Sequence, residues 1–208
     1  GWTVLAASSA KNGNFDLAKE YIERISSPGA RGQAMSNLAI NLSKAGKIDD
    51  AIDLAETIQY ADLKAAAYAS IIPLVFQAGN EDRALSLWSY CAKTHYQNLS
   101  TVLLSVKMIE MGMFDRVMQL VMSLEHEEQG DVWIGISNSL LRSDRSDLLS
   151  NLQRLLGEPH SQKIHWSIVN YLIENGRFEE AKGMIPLFPE SRLRHNLARK
   201  LIAEMASH

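Results

Sequence analysis

One cysteine, Cys91, in 208 residues leaves no partner for an internal disulfide. It reads as a small buried apolar side chain, because a reactive thiol needs a cationic neighbourhood that the sequence does not supply. No apolar run reaches the roughly 18 residues of a membrane span, and there is no lysine- and arginine-rich helix face of the kind that lies on a bilayer. A basic excess is also missing: 21 Lys and Arg stand against 24 Asp and Glu, a net charge of −3. A dedicated nucleic-acid binder usually needs that excess to neutralise phosphates. Absent as well are G-x-x-x-x-G-K-[ST], G-x-G-x-x-G and G-x-S-x-G. His126 is followed by Glu127 but by no second histidine at helical spacing, so no zinc-protease motif forms. His160 and His165 read as solvated or capping residues, and Glu125, Glu127 and Glu128 as a solvated turn. These absences exclude most enzyme classes. The expectation is a non-enzymatic, cytoplasmic protein without metal or cofactor. A hydrophobic content of 46% with 22% charge fits an ordered globular chain. The first residues are Gly1 and Trp2 and not methionine, so the chain reads as a fragment of a longer protein.

What the chain does have is a phrase written over and over. GNFDLAKEYIERI, GKIDDAIDLAETI, GNEDRALSLWSYC and GMFDRVMQLVMSL begin at Gly13, Gly46, Gly79 and Gly112, and GRFEEAKGMIPLF begins at Gly176. A degenerate copy starts at Asp144, so the spacings are 33, 33, 33, 32 and 32. Three residues after each turn stands an acid: Asp16, Asp49, Asp82, Asp115, Asp147, Glu179. An acid in the first turn of a helix interacts favourably with the helix dipole, worth ~0.3–1 kcal/mol. Five after the turn come Ala18, Ala51, Ala84 and Ala181, with Val117 and Leu149 as larger substitutes; eight after come Tyr21, Leu54, Leu87, Leu120, Leu152 and Met184.

Before the turn, position −8 holds Leu5, Leu38, Ile71, Leu104, Ile136 and Ile168, and position −4 holds Ser9, Leu42, Val75, Met108, Leu140 and Leu172. Spacing of four, with three or four beyond it, is helical and not strand alternation. Each unit is therefore a helix, a tight turn and a helix, with glycine accepting the positive φ of the turn. One such hairpin cannot bury its own apolar face, whereas a stack of them can. The expected fold is all-α: a solenoid of about six helix-turn-helix repeats over a single domain, 1–208. A last helix, from about 191 to 206, carries Leu193, Leu197, Leu201 and Met205 on one stripe and either caps the stack or opens a seventh unit. Pro73 falls inside a first helix and should bend it. Five methionines between Met108 and Met122 read as adaptable core filling, or as a promiscuous binding patch.

Trp2, Leu5 and Ala6 followed by Ala18 and Ile22, then Ala84 with Trp88, and Trp133 with Ile136, resemble the tetratricopeptide repeat. The period here is 33 or 32 where that family has 34. The resemblance implies a right-handed superhelix whose first helices line a concave groove for peptides or partner proteins. Carried over position by position, the groove columns are Ser36, Ala69, Val102, Ile134 and Trp166 at −10; Ile40, Pro73, Val106, Asn138 and Asn170 at −6; and Ser43, Phe76, Ile109, Leu141 and Ile173 at −3. The expected peptide site is Phe76, Val106, Ile109, Ile134, Asn138, Leu141, Trp166, Asn170 and Ile173. Its two asparagines offer donor and acceptor to a ligand backbone. The competing reading is that the apolar residues pack between helices and the asparagines merely cap. Arg142 and Lys163 are the nearest candidates for gripping a carboxylate. Two alternatives remain: single-stranded RNA binding by a helical repeat, and a regulatory or substrate-docking domain of a larger enzyme.

Overall fold

The computed structural model describes residues 1–143, 145, 148, 160–188 and 191–206. Asp144, Asp147, Leu149, Leu152, Leu156 and the loop at 157–159 lie outside the described residues. Every regular element among those described is helical. The chain divides into two compact units, Gly1–Lys107 and Met108–His208.

The N-terminal unit holds α1 (Trp2–Lys11), α2 (Phe15–Glu23), α3 (Pro28–Lys44), α4 (Ile48–Glu56), α5 (Ala61–Gln77) and α6 (Glu81–Cys91). Helices pair as hairpins, α1 with α2, α3 with α4 and α5 with α6, and the longer helices also pack in series, α1 on α3 and α3 on α5. Helix α7 (Gln97–Glu110) runs across the division between the units. In the C-terminal unit follow α8 (Phe114–Met122), α9 (His126–Arg142), α10 (His160–Glu174), α11 (Phe178–Met184), a 3₁₀ turn (Ile185–Leu187) and α12 (Ser191–Met205). There α9 packs on α8 and α10, α10 on α11, and α12 on α10 and α11.

The turns explain the repeated glycine. Gly13, Gly46, Gly79, Gly112 and Gly176 all have φ between 72° and 84°. That left-handed conformation costs a residue with a Cβ roughly 1–2 kcal/mol. At each turn the amide one residue after the glycine reaches back over the helix end: Asn14 to the Ser9 carbonyl, Lys47 to Leu42, Asn80 to Val75, Met113 to Met108 and Arg177 to Leu172, at 2.8–3.2 Å. This is the Schellman closure, which satisfies a carbonyl the helix leaves orphaned. Arg145 donates the matching bond to the Leu140 carbonyl at 2.9 Å, although Asp144 stands where the other turns have glycine.

The columns read from the sequence form the core. Leu38, Ile71, Leu104, Ile136 and Ile168 at −8 are buried, as are all six residues at −4, and the structure adds Ala6, Ala39, Ile72, Ser105, Ser137 and Val169 at −7. Small residues set how closely helices approach. Ala18, Ala51, Ala84 and Ala181 are fully buried. Gly32 on α3 lies so near α5 that a Cβ there would come within 3.0 Å of Leu63 and 3.2 Å of Tyr60. Pro73 is accommodated inside an α5 that continues to Gln77. The methionines divide by position: Met108 is buried, while Met111 and Met122 are exposed.

Candidate functional site

Four of the expected site residues come together in the C-terminal unit. Ile134, Asn138 and Arg142 recur every fourth residue on α9, which puts them on one face. Trp166, Asn170 and Glu174 do the same on α10, with Ser167 and Tyr171 one residue further round. These eight residues line a cleft of about 390 Å³ between α9 and α10. Trp166 keeps 37% of its surface exposed. Its ring meets buried Phe188 edge-on, with centroids 6.4 Å apart and planes at 90°. Contact on one side therefore fixes the indole while the other stays open, an arrangement suited to an aromatic anchor.

The two asparagines differ. Asn138 accepts a hydrogen bond from the Ser167 hydroxyl at 2.9 Å, and its amide NH₂ meets no partner among the described residues. Asn170 is engaged at both ends: its NH₂ donates to the Trp166 carbonyl at 2.8 Å, and its oxygen accepts from Lys200 Nζ at 2.7 Å. The lysine identifies that atom as oxygen, since an ammonium has no lone pair to offer an NH₂. Lys200, on α12, also holds Glu174 at 2.8 Å. Asn170 thus positions α10 against α12, and Asn138 is the one with donors to spare. Arg142 is exposed at the end of α9 and makes no ion pair among the described residues, so it and the Lys200–Glu174 pair leave this part of the cleft net positive. The Lys163 side chain falls outside what the structure describes.

The remaining expected residues are placed differently. Phe76, Ile109, Leu141 and Ile173, all at −3, are buried together with Ser43 of the same column. Position −3 follows −7 by four residues, so it extends the stripe that packs between helices and offers no open surface. Val106, on α7, is half-buried, like Ile40 and Pro73 at the same position. Ser36, Ala69 and Val102, the N-terminal counterparts of Ile134 and Trp166, are buried. Sequence reasoning missed Ser167, Tyr171 and Glu174 as cleft residues. Their signal was available, since each shares a helical face with Trp166 or Asn170.

Elsewhere, a second concavity of about 230 Å³ in the N-terminal unit is lined by Pro28, Arg31, Gly32, Met35, Thr57, Gln59 and Tyr60. Its one cation is spent on structure, because Arg31 donates twice to the Ile25 carbonyl, at 2.6 and 2.9 Å. Burial pushes the Cys91 thiol up to about 11, opposed by a hydrogen bond with Ser100, so a thiolate at neutral pH is strongly disfavoured. Among the described residues no group of three or more His, Cys, Asp or Glu is placed to hold a metal ion. No described helix is long and apolar enough to cross a membrane. Comparison with protein-family models, with curated proteins and with solved structures finds no match to the chain.

Proposed function

We propose that the chain is a non-enzymatic interaction module. In this reading it is a tetratricopeptide-like array of helical hairpins, about six repeats wound as a right-handed solenoid, that binds an extended segment of a partner protein through its turn-preceding helices. The observation that carries the proposal is the convergence of Ile134, Asn138 and Trp166 on one open cleft. An exposed, half-braced indole beside aliphatic surface is the composition of an interface anchor, and the spare amide of Asn138 can donate to a peptide carbonyl. Arg142 favours a ligand with an acidic group near the anchor. Asn170 serves as a positioning residue that keeps Trp166 and Lys200 in place.

Selection of a random peptide library against the whole chain tests this. Peptides enriched on the protein should lose about tenfold or more in affinity on Trp166→Ala, as expected when a central aromatic anchor is removed, and less on Asn138→Ala. Ala substitution of Val106, in the other unit, should change nothing. Peptides that bind the Trp166→Ala, Asn138→Ala double variant as tightly as the parent would remove the cleft from consideration.

A further inference from the structure

The cleft around Trp166 has an order along its length. Ile134, Asn138 and Arg142 follow one another at four-residue steps on α9, so an apolar side chain, an amide and a cation stand about 6 Å apart along one line. Trp166, Asn170 and Glu174 form the matching row on α10, and the long dimension of the cleft therefore runs along the two helices. Counted back from the turn positions, Ile134 and Trp166 stand at −10, the two asparagines at −6, and Arg142 and Glu174 at −2. The two charges at −2 are not equivalent. Glu174 is paired with Lys200 at 2.8 Å, whereas Arg142 is exposed and has no ion pair among the described residues.

We infer that the cleft takes its peptide lengthwise, along α9 and α10, and that it selects an apolar residue and an acidic residue four positions apart. The inference deepens the peptide-binding reading above and rests on it. Ile134 and Arg142 are eight residues apart on one helix, about 12 Å at 1.5 Å per residue. An extended peptide advances about 3.3 Å per residue and covers that distance in close to four residues. Parity agrees with length. Side chains of an extended chain alternate between its faces, so residues four apart both point into the cleft, and residues three or five apart do not. The apolar residue sits against Ile134, and the acid meets the guanidinium of Arg142, whose fork of N–H donors suits a carboxylate. Midway between them the Asn138 NH₂ donates to a main-chain carbonyl.

Serine-rich peptides, capped by acetyl and amide so that each carries a single carboxylate, test the spacing. Each holds one leucine and one aspartate, two to six positions apart, in either order. Binding to the whole chain is read from the indole N–H resonance of Trp166, identified by its loss in Trp166→Phe, with each peptide raised to about 1 mM. A spacing of four should bind roughly threefold or more tighter than any other, the size of one exposed charge pair, and the difference should shrink with added salt. Arg142 is exposed at the end of α9, so Arg142→Glu leaves the fold intact. It should remove the preference for aspartate and transfer it to the peptide in which lysine replaces aspartate. Equal affinity at all spacings overturns the inference, as does a preference for aspartate that survives Arg142→Glu, or a Trp166 resonance that no peptide moves. Failure of the peptide-binding reading itself looks different, since library peptides then bind the Trp166→Ala, Asn138→Ala double variant as tightly as the parent. Library peptides that need Trp166 but carry no acid four positions from an apolar residue reject the spacing alone.

Discussion

The two units use the same helical rhythm and treat one column in opposite ways. At position −10 the N-terminal unit carries Ser36, Ala69 and Val102, all buried, whereas the C-terminal unit carries Ile134, half-buried, and Trp166, exposed. Ile134 and Trp166 line the cleft between α9 and α10, whereas Ser36, Ala69 and Val102 are covered by their neighbours.

Ways to break this comparison can be ranked by size. Ile71→Asp places an unpaired charge in a fully buried position of the N-terminal unit, at a cost of about 3–5 kcal/mol, which a thermal melt will register as loss of most of that unit's stability. Next comes Ala69→Trp, which writes the C-terminal residue type into the N-terminal unit. Overpacking this closed position should cost about 1–3 kcal/mol or more. A melt unchanged by Ala69→Trp would mean that this position has room for the larger side chain.

The N-terminal unit should also be the more sensitive to alkali. Burial holds the Cys91 thiol up to about 11, and burial first, with Glu56 next, holds the Tyr68 hydroxyl up to about 12. In both cases the folded chain keeps a proton that the unfolded chain gives up near 9 and 10. The stability each contributes is complete below those values and is lost as pH rises through about 11 and 12. Melting midpoints of the parent should fall from pH 9 upward, and Cys91→Ala should flatten the first part of that fall.

Smaller effects sharpen the picture of the turns and ends. Gly46→Ala meets no neighbouring atom within 4 Å but must adopt a φ of +79°, so chemical denaturation should show a loss of about 1–2 kcal/mol. Leu5→Asp alters the same column as Ile71, yet Leu5 is 45% exposed at the open side of α1. Its effect should stay within about 1 kcal/mol, the range of surface substitutions.

Much of this was legible in the sequence because it is local. The turn glycines, the acids after them and the −8 and −4 columns follow from a period of 33 and a helical pitch of 3.6. Ile134, Asn138 and Trp166 were reachable by counting back from the turn positions, because residues four apart share one helical face. The −3 residues went astray because counting back assigns a face without saying how wide the buried stripe is. Phe76, Ile109, Leu141 and Ile173 lie one helical step from −7 and are swallowed by it. Asn170 could not have been read correctly, because its partner Lys200 lies 30 residues away on α12.

Hairpins that pack on their neighbours in sequence also carry a kinetic consequence. In the N-terminal unit α1 meets α2 and α3, and α3 meets α4 and α5, so native contacts there form without closing long loops. Chains with such short-range connectivity fold on the microsecond to millisecond scale. A nascent N-terminal unit can therefore acquire its structure hairpin by hairpin as it leaves the ribosome, since synthesis adds only about 5–20 residues per second.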